Sequence, residues 1–103
     1  MLLYLPEERY WRPETIRLRG KLRHQQGDAN LAEADFREAL ELAREMSAQG
    51  HELRAATSLA RLWGEQGRRA EARNLLVPVY GWFTEGFDTA DLKDAKTLLD
   101  ELM

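Results

Sequence analysis

Residues 53–83 read LRAATSLARLWGEQGRRAEARNLLVPVYGWF, and this stretch decides the fold. Leu53, Ala56, Leu59, Ala60 and Trp63 recur at the i, i+3, i+4, i+7 spacing that lines one face of a helix. Beyond Gly67, the residues Ala72, Leu75, Leu76, Val79, Tyr80 and Phe83 build a second such face. Two apolar stripes on either side of a short Gly-containing connection must fold back on each other, because each needs apolar surface to cover it. The spacing predicts one helix from about His51 to Gln66 and another from Arg69 to about Glu85. Pro78 removes a backbone donor and kinks or tightens the second of these.

The same reading extends in both directions. Downstream, Gly86 closes the fourth helix and Asp88 or Thr89 caps a fifth, whose inner stripe is Leu92, Ala95, Leu98, Leu99 and Leu102. Upstream, a cap within Asp28–Asn30 starts a helix that Gly50 ends. Its apolar side is Leu31, Ala32, Phe36, Ala39, Leu40, Ala43 and Met46. On its outer side Glu33 faces Arg37, and Arg44 faces Glu41 and Glu45, as solvated pairs worth ~0.2–0.5 kcal/mol each. The first helix ends near Gln26, before Gly27. It begins either at Pro6 with a kink at Pro13 or at Pro13 itself; the rough stripe of Trp11, Leu18 and Leu22 favours the first. Five helices and no strand pattern give an all-α fold of helical hairpins, a short right-handed solenoid or bundle. Its parts are a hairpin at about 6–49, a second at about 51–85 and a capping helix at about 89–102.

Composition narrows the chemistry. A chain of 103 residues supports one domain, and 44% apolar with 32% charged residues fits a packed fold better than disorder. The net charge of −3 is too mild to argue for a polyanionic partner. With no Cys, neither disulfides nor thiolate sites arise, and two histidines alone build no metal cluster. MLLYLPEE has no basic leader region, and no apolar run approaches the ~20 residues of a membrane span. The expectation is a cytoplasmic protein that does not enter the membrane.

The hairpins repeat. Gly27 and Gly67 lie 40 residues apart, and at that offset Gly20 matches Ala60, Ala32 matches Ala72, Phe36 matches Leu76 and Ala39 matches Val79. Small residues where helices cross, then a large apolar one four positions on, is the tetratricopeptide pattern. The small side chain lets backbones approach and the large one fills the groove beside it. The period exceeds the 34 residues of that repeat. Arg19 and Arg23 also stand at positions the motif makes apolar and aromatic, and no Pro closes either unit.

Three pieces carry a closer resemblance: ELRAA at 52–56, SLARLW at 58–63 and YGWFTEGF at 80–87. Through them the chain, over roughly Tyr10–Leu102, resembles the carboxy-terminal end of large bacterial regulators. These couple an adenylate/guanylate cyclase or DNA-binding domain to a predicted ATPase and then to tetratricopeptide-like repeats. The resemblance implies a helical segment for interaction or regulation, with the family's catalysis done elsewhere. No G-x-x-x-x-G-K-[ST] loop is present, so no ATPase chemistry carries over.

No residue set reads as catalytic, cofactor-binding or metal-ligating. His24 and His51 fall near helix ends, where solvent or free carbonyls meet them. Serines 47 and 58, with Thr57 and His51, lack an orienting Asp and a strained nucleophile turn. In the aromatic run Tyr80, Trp82, Phe83, Phe87, most members belong to the core under the fifth helix, and Trp82 is the one expected to face outward. Arg9–Arg23 holds six cations against Glu14 alone, whereas 85–103 holds six acids against two lysines. Solvated faces, attraction between complementary ends, or nucleic-acid contact by the basic first helix beside Tyr10 and Trp11 would each account for this.

The expected function is protein–protein interaction on the surface formed by the first helices of the hairpins, with no enzyme activity and no cofactor. Trp11, Arg19, Arg23, Arg61, Trp63 and Trp82 are the candidate contacts. Repeats usually need ~3 units for stability, so the outer side of the first helix (Tyr4, Trp11, Leu18, Leu22) is left uncovered. A homodimer burying that helix follows, with Trp11→Ala shifting it toward monomer. Nucleic-acid binding through the basic helix is the alternative from another class.

Overall fold

The structure, a computed structural model, describes residues 6–82 and 90–103, with side chains from residue 9. Three turns of one geometry set the course of the chain. Gly27, Ser47 and Gly67 lie 20 residues apart, and their φ angles are 86°, 55° and 81°. In each turn the following N–H reaches back to a helix carbonyl: Asp28 to Arg23 at 2.9 Å, Ala48 to Ala43 at 2.9 Å, Arg68 to Trp63 at 2.8 Å. The turn residue itself donates to His24, Arg44 or Gly64. This paired closure satisfies carbonyls that a helix end would otherwise leave bare.

The turns separate α1 (Pro6–Gln25), α2 (Ala29–Glu45), α3 (Gln49–Glu65) and α4 (Arg69–Gly81); α5 (Ala90–Leu102) completes the helices of the described residues. The Asp28 carboxylate accepts from the Leu31 N–H and caps α2, as its place after Gly27 suggested. Helix α1 is continuous through Pro13, in agreement with the earlier of the two possible starts.

The second turn departs from expectation. Gly50 does not end α2; it lies in the first turn of α3, and Ser47 takes the left-handed position instead. Ring closure dictates the backbone there, whichever residue occupies it. An L-residue in that conformation costs about 1 kcal/mol that glycine avoids. Ser47→Gly is therefore expected to raise the unfolding free energy by about 1 kcal/mol and the thermal midpoint by about 4 °C. A calorimetric scan that showed no rise would mean the serine conformation is unstrained.

Helix α3 is the centre of the fold: α1, α2, α4 and α5 all pack on it, while α1 also packs on α2 and α4 on α5. Close packing rests on small side chains, with Ala32, Ala39, Ala43, Ala56, Ala60, Ala72 and Ala95 all fully buried. Between α1 and α2 the spacing is set by Gly20. A Cβ added there would lie 2.7 Å from the Phe36 ring and 3.0 Å from Asp35 Cβ. The crossing inferred from the 40-residue offset is thus physically occupied, with Phe36 filling the place beside the missing side chain.

Other expectations need adjusting. Leu31 is exposed rather than inward. Arg44 pairs across the turn with buried Glu52 at 2.8 Å, where Glu41 and Glu45 were the expected partners. Helix α4 ends at Gly81, with Pro78 inside it, rather than at Glu85. Tyr4, Phe83, Gly86, Phe87, Asp88 and Thr89 lie outside the described residues. Among the described residues no helix is long and apolar enough to cross a membrane.

Candidate docking groove

The first helices of the hairpins, α1 and α3, lie side by side, and α5 continues the row. Their common face carries Glu14, Arg17, Lys21 and His24 from α1, then Arg54, Thr57, Ser58 and Arg61 from α3. Three positions of these stripes share a register, for 14, 17 and 21 become 54, 57 and 61 at the 40-residue offset. From α5 come Asp91 and Asp94. The stripes surround a cavity of about 140 Å³. Phe36 also lines it, because Gly20 has no side chain to keep the ring away.

The cavity is polar and positive. Of the charged groups on this face, Arg17, Lys21, Arg54 and Arg61 oppose Glu14, Asp91 and Asp94, which leaves one positive charge in a chain whose total is −3. Arg17 is the most firmly held. It donates to the Glu14 carboxylate through Nε at 2.9 Å and Nη2 at 2.6 Å, and through Nη1 to the Ser58 hydroxyl at 3.1 Å. The hydrogen bond from Arg17 holds the Glu14 carboxyl below the usual range against its burial, with the charges of Arg17 and Arg54 adding to it. Arg54 bonds Asp91 at 2.8 Å, which raises its affinity for its proton, and Arg61 bonds Asp94 at 2.7 Å. His24 sits at the rim, 3.0 Å from Glu65. Lys21 is exposed and has no ion pair among the described residues. Such a surface can hold anionic groups and release them readily, since exposed pairs are worth only ~0.2–1 kcal/mol.

The sequence-based contacts scatter. Arg61 lies in the groove, and Trp11 and Trp82 are exposed elsewhere. Arg19 and Arg23 turn to α2, where Asp35, only 2% exposed, accepts from Arg19 at 2.7 Å and from Arg23 at 3.1 Å. Trp63 belongs to the core rather than the surface; the guanidiniums of Arg68 and Arg37 lie 4.7 and 5.3 Å from its ring centroid. Arg17, Lys21 and Arg54 escaped the sequence reading. The signal was available: subtracting the 40-residue offset from Arg61 lands on Lys21.

His51 also differs from expectation. It is 4% exposed, with its ring centroid 4.6 Å from Tyr10 and 5.2 Å from Trp11. Its Nε2 has no hydrogen-bond partner among the described residues. Burial lowers the imidazole from its ordinary value, helped by Arg54 and Arg17 and opposed by the Glu14 carboxylate and the Tyr10 carbonyl. Below pH about 6.5 the unfolded chain takes up a proton that the folded chain resists, so stability is complete above that pH and falls as pH drops. Between pH 7 and 5 the thermal midpoint of the wild type is expected to fall more steeply than that of His51→Phe. Parallel slopes would show that His51 does not link folding to pH.

No family model, curated protein or solved structure matches this chain.

Proposed function

We propose that the chain is a helical-repeat interaction module without catalytic activity of its own, docking an acidic segment of a protein partner along the α1–α3–α5 groove. In this reading it serves as the interaction tail of a signalling or transcriptional regulator of the kind its sequence resembles. One observation carries the proposal: Lys21 and Arg61, cations at one repeat register on two adjacent helices, face an open cavity in a chain of net negative charge. Complementary potential of this kind steers an acidic partner and fixes its register more than it adds affinity.

The test is a titration with a fluorescein-labelled hexaglutamate peptide followed by anisotropy. Binding is expected to weaken about tenfold in Lys21→Gln/Arg61→Gln, corresponding to about 1.4 kcal/mol, and to weaken with added salt. Affinity unchanged by the double substitution would remove the groove from the interaction.

A second reading, self-association, has its own observation. Trp11, Leu18 and Leu22 are exposed and share one side of α1, apolar surface of the sort that seeks a partner. A homodimer through this surface requires a doubled solution mass by light scattering; a single-chain mass at every concentration would exclude it. Nucleic-acid contact by the same helix has less support, because Arg17, Arg19 and Arg23 are already committed to Glu14 and Asp35.

A further inference from the structure

We propose that α5 is a built-in competitor for the groove, its Asp91 and Asp94 occupying Arg54 and Arg61 until the carboxylates of an acidic partner segment replace them. The inference rests on the docking reading above and adds the element that regulates it. Asp91 and Asp94 are one helical turn apart on α5, while Arg54 and Arg61 are two turns apart on α3, and each carboxylate meets one guanidinium. Both bonds are short, at 2.8 and 2.7 Å.

Neither pair is sealed from water. The side chains are 34% and 40% exposed in the first, 42% and 53% in the second. Pairs this open exchange partners at little cost. Helix α5 need not leave for this to happen, because its apolar residues Leu92, Ala95, Leu98 and Leu102 are buried in the core. Arg69 and Arg73 of α4 also donate to the carbonyls of Glu101 and Leu102, which fixes the far end of the helix. The carboxylates are thus held at the groove by an anchored helix, yet bound to it only by exposed ion pairs. An incoming run of acidic residues finds Lys21, which has no ion pair among the described residues, and the two arginines available by exchange. Regulation lies in the competition: docking is weaker than Lys21, Arg54 and Arg61 alone would permit.

The experiment compares two double variants with equal charge change in the hexaglutamate titration, after circular dichroism has confirmed that both fold. Asp91→Asn/Asp94→Asn frees Arg61 and leaves Arg54 its 3.6 Å pair with Glu14. Asp100→Asn/Glu101→Gln removes the same charge from exposed positions outside the groove, Asp100 being paired with Lys96 at 3.3 Å. The first variant is expected to bind the peptide about tenfold more tightly than the wild type and the second to match the wild type. Equal tightening in both would make the effect one of net charge and overturn the competitor role. No tightening in the first, with Lys21→Gln/Arg61→Gln still weakening binding, would overturn the competitor role and leave the groove standing. Absence of binding in the wild type and every variant at low salt would overturn both.

Discussion

Replacing Gly20 with valine is expected to lower the unfolding free energy by about 3 kcal/mol, near the upper end of overpacking costs. The new Cβ meets the Phe36 ring at 2.7 Å, closer than carbon atoms tolerate, and Asp35 Cβ at 3.0 Å. Phe36 is 2% exposed and can yield only toward the cavity it borders; the overlap that this does not relieve pushes α1 away from α2 and opens the core between them. A helical residue other than glycine gains up to ~1 kcal/mol in propensity, so a net loss means that the steric term wins. The double variant Gly20→Val/Phe36→Leu checks the cause. A smaller side chain at 36 should restore part of the loss, and additive costs in chemical denaturation would locate the strain elsewhere.

The second large effect concerns Asp35, whose side chain is 3% exposed and accepts from both Arg19 and Arg23. Its two partners differ from it in reaching solvent. Arg19→Ala/Arg23→Ala strands a buried carboxylate with no cation beside it. For Asp35 left in that state the expected loss is about 3 kcal/mol. Removing the acid instead, in Asp35→Asn, releases the guanidiniums to water and leaves an amide that still accepts hydrogen bonds. That variant is expected to lose no more than about 1 kcal/mol, the scale of an ordinary hydrogen bond. Urea denaturation of both variants measures the asymmetry. Equal losses would show that the pairing itself, rather than the desolvated charge, accounts for the cost.

These two sites lie a few residues apart in sequence and show different degrees of legibility. Gly20 was readable: the 40-residue offset aligned it with Ala60, and a small residue followed by a large one is a local pattern. Asp35 was not. Among Glu33, Arg37 and Glu38 it looks like one more solvated charge, and Arg19 and Arg23 looked like contacts free for a partner. Only the approach of α1 to α2 brings the three together. His51 is similar, its place near a helix end implying solvent, whereas Tyr10 and Trp11 from α1 cover it.

The sequence by itself determined the number of helices among the described residues, their order, most of their apolar faces and the 40-residue repeat. Those properties follow from periodic burial and from glycines that end helices, and both act over a few residues along the chain. Tertiary structure decided the rest. It chose Ser47 over Gly50 for the second turn, because closing the helix end on Ala43 fixes which position turns left-handed. It sent Arg19 and Arg23 to Asp35 and assembled the groove from Arg17, Lys21, Arg54 and Arg61. Charged side chains are long and have no preferred face of their own, so their partners are settled only when the helices meet.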